Sequence, residues 1–170
     1  MAAALLPSSN IAAVITMSTP LTLPPARFDS TIDAVYNKVA QVISNDTTPI
    51  VSLCGGATDM MIPSESCILP RHGQGKAFRR TVFSSALEGS WTGVGHREMV
   101  WCHQVRWRVA RAALEMAPLA RRDARERVLD KWLRDGHTLP SHLESPKPLV
   151  SSDTGTQVVQ KLWLDAPRGV

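Results

Sequence analysis

Asp59 and His96 are the residues whose types and placement could do chemistry together, a carboxylate and an imidazole that each follow a run of buried-strand character. An imidazole can take the proton of a hydroxyl nucleophile, and a carboxylate can hold that imidazole in the right tautomer and stabilise its charged form. The two residues suit those roles. The same spacing also fits an aspartate in a turn and a solvent-facing histidine, so on pattern alone both readings stand. No serine completes the set. Ser18 follows a strand, but Thr19-Pro20 beyond it does not build the strained strand-to-helix elbow of a nucleophile. Gly89-Ser90 and Gly93 superficially suggest a G-x-S-x-G element, yet that element occurs nowhere in the sequence.

The elements that must position the pair alternate between two periodicities. Ile11 to Met17 and Pro49 to Cys54 are short continuous apolar runs, each ended by loop residues, the pattern of strands buried on both faces of a parallel sheet. Between them, three prolines from Pro20 to Pro25 exclude helix. From Asp29 to Ser44, Ile32, Val35, Tyr36, Val39 and Ile43 then recur at helical spacing, with Asp29 and Ser30 as candidate N-caps. Met60 to Gly75 is an irregular excursion, and Ala77 to Leu87 holds a third strand candidate at Thr81 to Ser85. A loop carries His96. Helical patterns follow from about Glu98 to Glu115, with Met99, Cys102, Val105, Val109, Ala113 and Met116 as the apolar stripe, and from Ala120 to Arg134 beyond Pro118.

Strand, helix, strand in succession is the unit of an α/β protein with a parallel sheet, and such sheets place ligands at the carboxyl ends of their strands. An acid after one strand and a histidine after the next are the last two members of a triad in the chain order of α/β-hydrolases. The expected fold class is therefore α/β, a partial parallel sheet flanked by helices over residues 1–135. Residues 136–170 read as a Pro- and Ser-rich linker, with Gln157 to Leu164 as the possible start of a following domain.

The bulk properties allow this and exclude other classes. An apolar fraction of 44% over 170 residues suffices for one hydrophobic core. The net charge of +4 comes mostly from Arg71 to Arg134, so it reports a single region. That region fits a solvated helical face, and also a surface for phosphates of lipid or nucleic acid. Cys54, Cys67 and Cys102 have no metal-ligand spacing and do not make a complete disulfide framework; Cys54 and Cys102 are expected to be packed core thiols. The apolar N-terminus lacks a basic region and is interrupted at Pro7, unlike a signal peptide. No apolar run approaches the roughly 20 residues a membrane span needs.

The stretch Ile50-Val-Ser-Leu-Cys-Gly-Gly-Ala-Thr-Asp-Met-Met-Ile-Pro-Ser64, followed by Ser84-Ser-Ala-Leu-Glu-Gly-Ser-Trp-Thr-Gly-Val-Gly-His-Arg-Glu-Met-Val-Trp-Cys102, closely resembles the fungal GPI inositol-deacylase family. Met17 to Pro20 and Pro24 to Asp29 resemble the family's preceding loop, and the likeness extends over roughly residues 11–117. It implies that the fold is an incomplete α/β-hydrolase fold and that Asp59 and His96 are the acid and base of a Ser-Asp-His triad, in an enzyme that needs no metal or other cofactor. The implied reaction is hydrolysis of the acyl ester on the inositol of GPI-anchored proteins, through an acyl-enzyme. The implied setting is the endoplasmic reticulum membrane, reached through parts not in this chain, where deacylation lets the proteins be exported; no nucleic-acid partner is implied.

Three departures accompany the resemblance. The nucleophile elbow belongs upstream of Ile11, so this polypeptide by itself is expected to be inactive. Leu21 stands where the family has histidine after the Thr-Pro pair, and Gly95 stands where it has an acidic residue just before the catalytic histidine. The remaining candidates receive plainer readings: His103 as structural or exposed, Trp91, Trp101 and Trp107 as packing residues, and the arginines from Arg106 to Arg127 as a solvated face. A basic helical module over residues 103–134, binding nucleic acid or a protein partner, is the competing expectation.

Overall fold

In the computed structural model, residues 11–24, 29–70 and 77–136 are described. Three strands, β1 (Val14–Met17), β2 (Ile50–Cys54) and β3 (Arg79–Phe83), form one parallel sheet in the order β1-β2-β3. The register pairs Met17 with Leu53 and Cys54 with Phe83, so all three strands end level with one another. Every residue of the central strand β2 is buried, as the unbroken apolar run requires when both sheet faces are covered.

Side chains alternate across that sheet. Ile50 faces α1 (Ser30–Asn45), where it joins Leu21, Val39, Ile43 and Leu69 in one cluster. Asp29 caps this helix by accepting from the Thr31 amide, at the position foreseen for it. Val51, Leu53 and Val82 face the other way, into the larger core built with α3 (His103–Met116) and α4 (Arg122–Trp132). Arg79 ties the edge strand to α1 by donating to the carbonyls of Ile43 and Asp46, at 2.7 and 2.5 Å, where the helix leaves its last acceptors unpaired. Arg80 pairs with Asp130 of α4 at 2.6 Å.

Several sequence expectations shift. β3 runs two residues earlier than Thr81 to Ser85, because Ser84 and Ser85 already belong to a turn. The helix expected from Glu98 is broken: Glu98–Val100 is a 3-10 turn, and α3 begins at His103. On α3, Ala112 occupies the buried position and Ala113 faces out. Trp91, Trp101 and Trp107, expected to pack inside, are 57%, 58% and 46% exposed. Trp107 lies on the outer face of α3, stacked on His103 and covered by the Arg111 guanidinium, a pattern that one-dimensional spacing does not separate from burial. His103 is exposed.

The cysteine expectation is corrected. Cys54, at the end of β2, and Cys67, in the short helix α2 (Ser64–Cys67), form a disulfide, with Cα atoms 5.9 Å apart. Cys102 is the free thiol, half-buried. An odd cysteine count hid the bridge, since the chain between positions 54 and 67 folds back on itself through a loop that spacing does not reveal. Among the described residues no helix is long and apolar enough to cross a membrane. The expected linker and the strand at Gln157 to Leu164 lie outside the described residues apart from Gly136, as does the N-terminal segment before Ile11.

Candidate active site

The chain leaves β2 through Gly55 and Gly56, and the glycines are there for space and conformation. A Cβ at position 55 would meet the Val94 carbonyl oxygen and would lie 2.8 Å from the Asp59 Cβ; Gly56 adopts φ +71°, which disfavours any side chain. A 3-10 turn (Gly56–Thr58) then delivers Asp59, whose amide closes the turn onto the Gly56 carbonyl at 3.0 Å. Asp59 Oδ1 accepts from the amides of Met61 and Ile62, both at 2.9 Å, so the onward chain is wrapped around one carboxylate oxygen.

The other oxygen is left for the histidine. Asp59 Oδ2 lies 3.1 Å from His96 Nδ1, across 37 residues of sequence. The aspartate side chain is 2% exposed and the histidine ring 31%, so the acid is enclosed while the base reaches solvent. Burial pushes the Asp59 carboxyl up, but donors from Ile62, Ser18, Met61 and His96 together outweigh it and hold the group below its ordinary value of 3.8. An ionised carboxylate is acceptor only, so Nδ1 carries the hydrogen and the Nε2 lone pair of the neutral ring is free to take a proton.

Two serines that directly follow the flanking strands brace the turn between them. Ser18, after β1, accepts from the Gly55 amide at 3.3 Å. Ser84, after β3, donates to the Gly55 carbonyl at 3.4 Å and accepts from the Val94 amide at 3.1 Å, joining the acid-bearing loop to the base-bearing one. The Cys54–Cys67 disulfide closes the same acid-bearing loop at its base. Asp59 and His96 are legible as candidates in the sequence, whereas Ser84 and the disulfide are not; for Ser84 the visible signal is a serine directly after each flanking strand. At the departure Gly95, a Cβ would run into the Glu98 carboxylate, so an acidic group from three residues onward already reaches that spot.

The cavity of about 280 Å³ lined by Ile11, Ala12, Thr47 to Pro49, Arg122 and Arg125 lies where the strands begin, opposite to this pair. The geometry at the carboxyl ends of the strands is an imidazole oriented by a carboxylate, an arrangement with which a general base can activate a hydroxyl brought to Nε2.

Comparison with known proteins agrees with the parallel α/β fold. Residues 2–116 match the family model described as the PGAP1-like alpha/beta domain. A GPI inositol-deacylase of Cryptococcus neoformans (strain B-3501A) is 36% identical over 130 residues, covering 75% of this chain and 17% of the relative. A GPI inositol-deacylase of Chaetomium globosum is 31% identical over 163 residues, covering 82% of this chain and 14% of that protein. GPI inositol-deacylase A of Yarrowia lipolytica is 32% identical over 121 residues, 64% of this chain and 11% of the relative. The chain thus spans a small part of the proteins it resembles, and that part includes both loops of the Asp59–His96 pair. With a parallel sheet of the right kind and a family match across most of its length, the chain belongs to the PGAP1-like alpha/beta domain family.

Proposed function

We propose that this chain is the acid- and base-bearing part of a GPI inositol-deacylase, a lipid-ester hydrolase acting on the inositol-linked acyl chain of GPI-anchored proteins. The observation that carries the reading is the Asp59–His96 pair, an enclosed carboxylate on Nδ1 of a ring whose far side reaches solvent. In the reaction, His96 Nε2 takes the proton of a serine hydroxyl as its oxygen attacks the ester carbonyl, while Asp59 stabilises the resulting imidazolium. The ring then returns the proton to the departing inositol oxygen, leaving an acyl-serine that water hydrolyses by the same route.

The serine comes from outside this sequence, which has no G-x-S-x-G elbow. By itself the chain keeps only the residual rate of a triad without its nucleophile, a loss on the order of a millionfold. The Cys54–Cys67 bridge favours an oxidising compartment, in keeping with action at the endoplasmic reticulum membrane in support of export. The basic helices favour no nucleic-acid role: Arg121 and Arg127 pair with Asp123, Arg122 with Glu126, Lys131 with Glu115 and Arg134 with Glu88.

The test is a chimera in which residues 11–135 replace the matching segment of the Cryptococcus enzyme, assayed for fatty-acid release from an inositol-acylated GPI. The chimera is expected to be active, and Asp59→Ala or His96→Ala to lower its rate by a factor of about a thousand or more. Activity that survives either substitution rejects the reading.

A further inference from the structure

We infer that the outward face of α3 is a surface for an anionic phospholipid bilayer, with Trp107 and Leu114 entering the headgroup layer and Arg106 and Arg111 meeting lipid phosphates on either side of them. The inference goes beyond the deacylase reading and does not depend on it. Val105, Ala112 and Met116 turn one side of α3 into the core. At helical spacing His103, Trp107, Ala110 and Leu114 fall on the opposite side, with Arg106 along one border and Arg111 along the other. A helix side turned to water is ordinarily polar, yet Leu114 is 70% exposed and Trp107 is half-exposed. Val100 and Trp101, just before the helix, are both more than half exposed. They follow His96 closely, so the apolar face begins on the loop that carries it.

Charge sets this face apart from the neighbouring helix. The arginines of α4 meet carboxylates, Arg127 at Asp123 and Arg122 at Glu126. α3 contains a single acid, Glu115, and Lys131 of α4 holds it at 3.0 Å. Arg111 adds its field at Glu115 while its guanidinium lies 4.4 Å over the Trp107 ring. Among the described residues Arg106 has no carboxylate partner. The face thus presents aromatic and aliphatic area bordered by positive charge, with no acid between the borders. Both properties suit a lipid surface: tryptophan and leucine gain by leaving water at the headgroup level, and arginine lays its apolar stem along that boundary while its charge reaches the phosphates. Nucleic acid suits it less, because the Trp107 ring that would stack on a base is covered by Arg111 and stacked on His103, and an exposed leucine gains nothing from a phosphate backbone. Among the described residues no helix is able to span a bilayer, so this contact is one of lying on the surface.

The experiment is co-sedimentation of the 170-residue chain with vesicles of phosphatidylcholine alone and of phosphatidylcholine with phosphatidylserine as about one-third of the lipid. Binding to the anionic vesicles is expected to be at least about tenfold tighter than to the neutral ones, and to weaken as salt is added. Arg106→Glu with Arg111→Glu is expected to weaken it at least about tenfold, whereas the same charge change on α4, Arg122→Glu with Arg127→Glu, weakens it less than about threefold. Trp107→Ala with Leu114→Ala keeps the charge and removes exposed side chains, so it is expected to melt as wild type does and to bind the anionic vesicles about fivefold more weakly or worse. That pair decides the matter if the glutamate variant folds poorly. Equal binding to the two kinds of vesicle, equal losses from the α3 and α4 charge changes, or unchanged binding without Trp107 and Leu114 each overturns the inference. A short DNA duplex that displaces the chain from anionic vesicles, and loses its hold in the α3 variants, assigns the face to nucleic acid and rejects the lipid. None of these results bears on the deacylase reading, which the chimera assay decides by itself.

Discussion

Gly55 lies so close to Val94 that a single methyl group at position 55 would run into the carbonyl oxygen of residue 94. The acid-bearing and base-bearing loops thus meet backbone to backbone, and the distance from Asp59 to His96 depends on the absence of a side chain between them. Gly55→Ala is expected to cost about 1–3 kcal/mol of stability and to push the two loops apart. Urea unfolding of the variant checks the first, and deacylation by the corresponding chimera, reduced at least tenfold, checks the second. A variant as stable and active as its parent contradicts the close approach.

The disulfide makes a direct chemical prediction. Alkylation of the denatured, unreduced chain is expected to label Cys102 and neither Cys54 nor Cys67. Closing a loop of this size restricts the unfolded chain, and its loss is expected to lower stability by about 2–4 kcal/mol. Cys54→Ser with Cys67→Ser, compared with wild type in calorimetry with and without reductant, gives the size. Three alkylated cysteines without reduction would show the bridge absent.

Acid stability carries the signature of Asp59. Its carboxyl titrates below 3.8 in the folded chain, so the unfolded state binds the proton first as pH falls. The contribution is therefore fully present above the unfolded value and is lost as pH drops through the folded one. Asp59→Asn removes it, and the difference in stability between wild type and variant is expected to shrink steadily below about pH 4. Thermal melts of both proteins across that range decide the sign. A difference that grows toward acid contradicts a depressed aspartate.

The ion pair between Arg80 and Asp130 joins β3 to α4 with side chains only 15% and 10% exposed. Removing one partner leaves an uncompensated buried charge, so Asp130→Ala is expected to cost about 3–5 kcal/mol. Asp123→Ala, which removes exposed pairs to Arg121 and Arg127, is expected to cost under about 1 kcal/mol. Equal losses in the two variants, measured by denaturant unfolding, contradict the burial of the first pair.

Much of the architecture is legible in the sequence. The apolar runs ending at Met17 and Cys54 are β1 and β2, but only the central β2 is buried throughout, as a strand covered on both faces is, whereas β1 at the edge of the described sheet is half-buried along its length. The helix capped by Asp29 appeared where a 3.6-residue period and a capping side chain coincide. β3 was displaced because Arg79 and Arg80 look polar in sequence, whereas here both are half-buried and their guanidinium groups find carbonyls and a carboxylate. The three outward tryptophans were misplaced because aromatic area does not say which side of a surface it lies on.

From residue order alone came the α/β class and the placing of Asp59 and His96 after successive strand patterns, since each depends on local periodicity, while their roles as acid and base were an expectation of the family resemblance. Tertiary structure alone decided that Asp59 and His96 meet, that Cys54 reaches Cys67, and that serines from two other strand ends clasp Gly55. Those contacts bridge segments 13 to 37 residues apart. Their distances come from the level ends of three parallel strands, a relation no single stretch of the chain contains.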